Sequence, residues 1–148
     1  MTTEQRFSLV KPFLNTPFHI DFDWWKNNDS DWRVFLYDFL CDFHREAFKD
    51  QPSDIVIDAV DPATAEVHQE DGLLYTLMTH CARQPEFIQP GASLVTMIFR
   101  IFLSNGNKPL SSEELSQLAN RPANTILVTL TGRQIYKGIR PFHHKEPL

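Results

Sequence analysis

The 148-residue sequence has few cysteines and no long apolar run. Cys41 and Cys81 are its only cysteines, too few for the disulfide framework of a small secreted domain. The longest apolar stretch, Leu94–Leu103, is interrupted by Arg100 and is too short to cross a bilayer. The chain does not open with a basic segment followed by an apolar one, so no export signal is visible. We expect a soluble, cytoplasmic protein without a membrane partner.

Signatures of catalysis and an excess of positive charge are also lacking. The sequence contains no glycine-rich phosphate loop, no nucleophile elbow and no paired histidines on a helix, so we do not expect an enzyme. Fourteen Lys and Arg against nineteen Asp and Glu give a net charge of −5, which argues against a general nucleic-acid coat. With 42% apolar residues the chain can nevertheless bury a core.

The charge is unevenly distributed along the chain. Residues 1–105 carry 8 Lys and Arg against 16 Asp and Glu, a net charge of −8, whereas residues 106–148 carry 6 against 3, a net charge of +3. Two surfaces with different partners are expected from this contrast. We predict a mainly helical α+β protein with an extended arm over residues 1–22, a helical body with a β-hairpin over residues 23–90, and a C-terminal domain over residues 91–148.

Local sequence signals predict the arm and the elements of the body. Proline disfavours the α region for the residue before it, so the prolines of residues 1–22 predict an extended arm that packs on its own chain or on a neighbouring subunit. Asp29-Ser30-Asp31 can cap a helix from about Trp32 to Phe48, which is apolar on two faces. Asp61-Pro62 predicts a turn between the two strands of a hairpin, and a second helix is expected from Leu73 to about Arg83.

Residues 92–142 show a more specific pattern. One helix is expected over residues 92–104, and a second, capped by Ser111-Ser112, over residues 113–119. Asn120 tolerates the left-handed conformation that a sharp turn needs before a third helix over residues 123–130. Residues 134–140 then predict a short strand–turn–strand.

This segment, centred on LSSEELSQLANRPANTILVTL, resembles the winged helix-turn-helix superfamily of DNA-binding domains. Asn120 stands where the family usually has a turn glycine, and Ser116 where a small residue lets the two helices approach. In this family the second helix of the pair packs its apolar face inward and presents its other face to the DNA major groove. The residues expected to pack inward are Leu115, Leu118, Ile126 and Leu130.

The resemblance implies a transcriptional regulator that binds double-stranded DNA as a homodimer on a palindromic site. Side chains on or before the third helix would contact bases and phosphates, and basic side chains beyond it would contact the phosphate backbone. The implied DNA-binding residues are Arg121, Asn124, Thr125, Val128, Thr129, Arg133, Lys137 and Arg140. The third helix contains no Lys or Arg, so the alternative is an interaction module whose winged helix binds protein partners.

Four residues of the body are candidates for a zinc site. Cys41 and His44 are three residues apart on a predicted helix, a spacing that zinc sites use, and His80-Cys81 would complete four ligands. Adjacent helical residues point about 100° apart, so His80 and Cys81 converge only if their helix ends there. Cys81 also lies on an apolar stripe, where a free cysteine behaves as a small hydrophobe. A core role is therefore favoured over a metal site and over a redox pair.

Overall fold

The computed structural model describes residues 12–49, 56–89 and 91–143. With 48% helix and 15% strand it is a mainly helical α+β structure, which confirms the predicted class at that level. The chain forms two compact units: a middle unit, Asp23–Pro90, and a terminal unit made of Met1–Phe22 and Gly91–Leu148. No helix in the described part of the chain is both long and apolar enough to span a membrane.

Seven α-helices and five strands are found in the described ranges. The helices are α1 (Phe22–Asn28), α2 (Trp32–Tyr37), α3 (Asp42–Ala47), α4 (Gly72–Thr79), α5 (Leu94–Ser104), α6 (Ser112–Ala119) and α7 (Ala123–Leu130). The strands are β1 (Pro17–Ile20), β2 (Val56–Val60), β3 (Val67–Asp71), β4 (Leu110–Ser111) and β5 (Ile139–Pro141). Two short 3₁₀ helices, Cys81–Arg83 and Pro85–Phe87, follow α4.

In the middle unit, the prediction of one helix from Trp32 to Phe48 is wrong. The helix ends at Tyr37, the chain makes a series of tight turns, and α3 begins only at Asp42. Leu36 and Phe43, which one continuous helix would place on the same face, therefore differ in burial: Leu36 is fully buried, whereas Phe43 is 74% exposed. The periodicity predicts one continuous helix because apolar residues continue at helical spacing on both sides of the break.

The predicted hairpin of the middle unit is confirmed, with slightly shifted ends. Strands β2 and β3 are antiparallel and pair Val56 with Asp71 and Val60 with Val67. The Asp61 side chain accepts a hydrogen bond from the Ala63 backbone N–H at 2.8 Å and so stabilises the turn. Helix α4 follows at once, but it ends at Thr79 and not near Arg83 as predicted.

Aromatic packing and one ion pair organise the helices of the middle unit. The rings of Trp25 and Trp32 meet edge-on with centroids 6.1 Å apart, and both side chains are buried. Asp71 caps α4 by accepting hydrogen bonds from the backbone N–H groups of Leu73 and Leu74, both at 3.1 Å. Its other oxygen lies 2.6 Å from the Arg33 guanidinium, so one carboxylate joins α2 to the start of α4.

The terminal unit contains a three-stranded antiparallel sheet in the order β4-β1-β5. Strand β1 belongs to the predicted arm, and its described residues pair with strands of the same chain. The strand–turn–strand predicted over residues 134–140 is wrong: residues 134–136 form no strand, and β5 pairs with β1. The sequence offers no local signal for this pairing because its partners are more than a hundred residues apart.

Helices α5, α6 and α7 form the rest of the terminal unit. Most of α5 is buried, including Ile98 and Phe102. The capping box predicted at the start of α6 is present between Ser111 and Glu114, and Asn120 has the expected left-handed conformation with φ 55°. Of the four side chains predicted to pack inward, three are buried, and the prediction for Leu118 is wrong because it is 58% exposed.

Candidate metal centre

The first two candidate ligands lie at the start of α3. Cys41 is the residue before this helix, and its backbone is extended, with φ −67° and ψ 162°. His44 follows one turn later, so the two side chains project to the same side. The Cys41 Sγ lies 3.2 Å from the His44 Nδ1. The break between α2 and α3 therefore places this pair at a helix end and not along a continuous helix.

The second pair lies where α4 ends. His80 leaves the helical conformation, with φ −122° and ψ −65°, and Cys81 begins a 3₁₀ helix. The sequence-based condition that the helix must end here for both side chains to converge is thus met. The Cys81 Sγ lies 3.4 Å from the Cys41 Sγ and 3.5 Å from the His44 Nδ1. The His80 Nδ1 lies 3.8 Å from the Cys41 Sγ.

These four residues form what we call the Cys2His2 cluster: Cys41, His44, His80 and Cys81. Their candidate ligand atoms all lie within 4.8 Å of one another. A zinc ion about 2.3 Å from sulfur and about 2.1 Å from nitrogen places tetrahedral ligand atoms about 3.3 to 3.8 Å apart. Four of the six separations between these atoms, from 3.2 to 3.8 Å, are close to these edges, and all six lie within 4.8 Å. The cluster is thus compatible with four-coordinate zinc.

The cluster has a buried side and an exposed side. Cys81 is 1% exposed, and burial raises the pKa of its thiol to about 11. A metal ion must therefore displace a proton from this sulfur. Burial, and secondarily the neighbouring His80, lowers the pKa of His44, which favours the neutral imidazole that binds metals. His80 itself is exposed, so the fourth ligand lies at the solvent side.

The two interpretations that compete with zinc can be compared with this geometry. The core role favoured from the sequence agrees with the burial of Cys81 but not with the exposure of His80. A thiol pair agrees with the short distance between the two sulfur atoms. Neither interpretation explains why two imidazoles converge on the same thiols, with ring centroids 4.4 Å apart. Compared with both, the zinc interpretation accounts for all four side chains.

The residues implied as DNA contacts all lie in the terminal unit. The exposed ones among them are Arg121, Asn124, Thr125, Val128 and Arg133. Thr129 is half-buried, and its hydroxyl donates a hydrogen bond to the Thr125 carbonyl at 2.8 Å. Arg140 forms an ion pair with Asp21 at 3.2 Å, and the Lys137 ammonium lies 5.9 Å from the centre of the Tyr136 ring.

No family model, curated protein or solved structure matches the chain. The function therefore has to be inferred from the described residues. Among these, one residue beside the cluster has no signal in the sequence. Arg45 reads as an ordinary surface charge on a helix, whereas its guanidinium bonds to the backbone that precedes Cys41. Bonds from a side chain to backbone carbonyls leave no trace in composition or spacing.

Proposed function

We propose that this chain is a zinc-binding protein in which one zinc ion, held by the Cys2His2 cluster, stabilises the middle unit. The observation that carries the proposal is the convergence of two thiols and two imidazoles, whose candidate ligand atoms all lie within 4.8 Å of one another. Four protein ligands leave no open coordination position, which is typical of structural and not of catalytic zinc. The ion would join the start of α3 to the end of α4.

The packing of α3 supports a structural role for the metal. This helix has six residues and none of them is buried. A helix this short is unstable in isolation and normally depends on the burial of an apolar face. Because His44 lies on α3 and Cys41 directly before it, zinc would supply the attachment that apolar packing does not.

The metal content of the purified full-length chain tests this proposal. We expect one zinc per chain by elemental analysis, and loss of that zinc in Cys41→Ser. His68→Gln is the matched control, because His68 is exposed and lies outside the cluster. Metal-free wild-type protein that is nevertheless well folded would contradict the proposal.

We propose a second function for the terminal unit, namely binding of double-stranded DNA through a helix-turn-helix formed by α5, α6 and α7, with β5 in place of the predicted strand–turn–strand wing. The capped start of α6, the left-handed Asn120 and the exposure of Arg121 and Asn124 support it. Helix α7 would enter the major groove, and Arg133 and Lys137 would contact phosphates. Within this proposal the protein is a transcriptional regulator that binds as a homodimer.

Fluorescence anisotropy with random duplex DNA over a salt series tests the second proposal. We expect binding that weakens with salt as about three to six phosphate contacts require. Lys137→Ala should weaken binding to every sequence, whereas Asn124→Ala should relax the preference at one base pair. Absence of binding at low salt would favour the alternative, a protein-binding module, since Leu118 and Val128 are 58% and 66% exposed.

A further inference from the structure

The loop between α2 and α3 has an unusual source of hydrogen bonds. In a continuous helix the carbonyls of Asp38 and Leu40 would accept hydrogen bonds from backbone N–H groups four residues later. In this structure both carbonyls accept from the guanidinium of Arg45, from the same nitrogen, Nη2, at 3.1 and 3.0 Å. Arg45 thus replaces the helical hydrogen bonds that the break removes.

Further contacts fix the position of Arg45 itself. Its backbone N–H donates to the Cys41 carbonyl at 2.8 Å, and its own carbonyl accepts a hydrogen bond from the Tyr37 hydroxyl at 2.6 Å. The Nη1 atom lies 3.5 Å from the Asp42 carboxylate. The Nε atom is buried and has no hydrogen-bond partner within the described residues, whereas the side chain as a whole is 44% exposed.

From this arrangement we infer that Arg45 is a positioning residue for the metal centre. Among the described residues, its guanidinium forms hydrogen bonds and an ion pair with the Asp38 and Leu40 carbonyls and the Asp42 carboxylate, and with no side chain of the cluster. Its guanidinium instead holds the turn of residues 38–40 that directly precedes Cys41. Without this support the turn is free to relax toward the continuous helix that the periodicity favours. The Cys41 thiol would then move away from Cys81 and His80. The inference rests on the proposed zinc site, and it assigns the geometry of that site to one side chain.

Substitution of Arg45 by lysine or by glutamine distinguishes its hydrogen bonds from its positive charge. A lysine at this position keeps the charge but presents a single flexible ammonium in place of a planar group that two carbonyls share. Glutamine removes the charge and keeps a donor. Tyr37→Phe leaves Arg45 intact and removes only the hydrogen bond to its carbonyl. We expect zinc affinity to fall most in Arg45→Gln, less in Arg45→Lys and least in Tyr37→Phe.

Zinc affinity and the Co²⁺ absorption spectrum of the full-length chain test the inference. Groups that orient ligands from outside the coordination sphere typically contribute about 10- to 100-fold in metal affinity. In chelator competition we expect Arg45→Gln to bind zinc about 10-fold more weakly than wild type. In the Co²⁺ form we expect weaker and shifted ligand-field bands, because these report the geometry of the bound thiolates and imidazoles.

Arg83→Gln is the matched control. Arg83 is two residues from Cys81, it is exposed, and its guanidinium makes no hydrogen bond or ion pair in the part of the chain that the structure describes. We expect it to leave affinity and spectrum unchanged.

Two results would overturn the inference in distinguishable ways. If wild type binds zinc and both Arg45 variants match its affinity and Co²⁺ spectrum, Arg45 is only a stability residue, even if the metal-free variants unfold more easily. If wild type binds no zinc, the proposed function fails and the inference fails with it. Should Arg45→Gln not fold, Arg45→Lys and Tyr37→Phe provide the same comparison with smaller expected changes.

Discussion

The terminal unit buries most of one long helix, whereas the middle unit distributes its buried side chains over several short helices. Six of the eleven residues of α5 are buried. In the middle unit, α1 buries one residue, α2 buries two and α3 buries none. Apolar burial is the main stabilising contribution in most domains. The comparison suggests that the middle unit depends more heavily on specific polar attachments, of which the Cys2His2 cluster and the Arg33–Asp71 ion pair are the clearest.

The two units also differ in how their helices end. In the terminal unit, α6 begins with a capping box and ends at a left-handed asparagine, both of which are local devices. In the middle unit, α3 begins without a side-chain cap and α4 ends at His80. Both of these irregular ends carry candidate zinc ligands. The capped start of α4, by contrast, carries no candidate ligand.

Removal of zinc should produce the largest difference in stability between the two units. With free zinc a thousandfold above its Kd, bound metal stabilises the folded state by about 4 kcal/mol. We expect a chelator to remove this contribution and to increase hydrogen exchange in residues 32–49 and 72–83. Peptides from α5 to α7 should exchange at unchanged rates. Mass spectrometry of the exchanged peptides provides the measurement.

Re-addition of metal supplies the control for this experiment. Zinc should restore protection in the middle unit, and Mg²⁺, which prefers oxygen ligands, should not. Equal loss of protection in both units on chelation would contradict the comparison. It would mean that stability is shared across the chain and is not concentrated at the cluster.

The sequence predicts the helices of the terminal unit better than those of the middle unit, and the reason is physical. Helix α7 has the predicted bounds, and the cap of α6 and the turn at Asn120 are correct, because these features depend on neighbouring residues. The predicted helix over residues 32–48 is wrong because apolar spacing continues across the break, where a side chain, Arg45, bonds the backbone carbonyls. The four candidate ligands could be named from the sequence, but their convergence depends on two helix breaks.

Asp71→Ala should produce the next largest effect, confined to the middle unit. The substitution removes the cap of α4 and the ion pair with Arg33 together. The loss of a cap costs about 1 kcal/mol, and the ion pair, in which the Arg33 side chain is 31% and the Asp71 side chain 6% exposed, contributes about 1 kcal/mol more. We expect unfolding in urea to show a loss of about 2 kcal/mol. Asp58→Ala, on the exposed hairpin, is the control, and an equal loss there would contradict the role of the cap.

Substitution of Asn120 tests the left-handed turn that ends α6, and the expected loss of stability is about half that of Asp71→Ala. A non-glycine side chain in the left-handed conformation is unfavourable by about 1 kcal/mol, and asparagine and glycine tolerate it best. We expect Asn120→Ala to lower the free energy of unfolding by about 1 kcal/mol and Asn120→Gly to leave it nearly unchanged. Equal losses in both variants would show that the Asn120 side chain, and not its backbone conformation, matters.

The smallest expected effect concerns pH and the His19 imidazole of the terminal unit. Burial lowers the pKa of His19 below its ordinary value of 6.5, and Arg140 and His143 act in the same direction, whereas Asp21 partly opposes them. Above pH 6.5 the imidazole is neutral in both the folded and the unfolded chain, so it contributes no pH dependence there. As the pH falls through 6.5, the unfolded chain takes up the proton first, and the folded state becomes less stable.

We therefore expect the melting temperature of zinc-bound wild type to fall slightly more between pH 7.5 and about pH 5.5 than that of His19→Gln, whose side chain stays neutral. His68→Gln, at an exposed histidine of the middle unit, should behave as wild type. The difference should appear as faster hydrogen exchange in β1 and β5, because His19 lies in β1 and pairs with Arg140 of β5. If it appeared instead in α3 and α4, the pH dependence would belong to the Cys2His2 cluster, where protons compete with zinc for the same ligands.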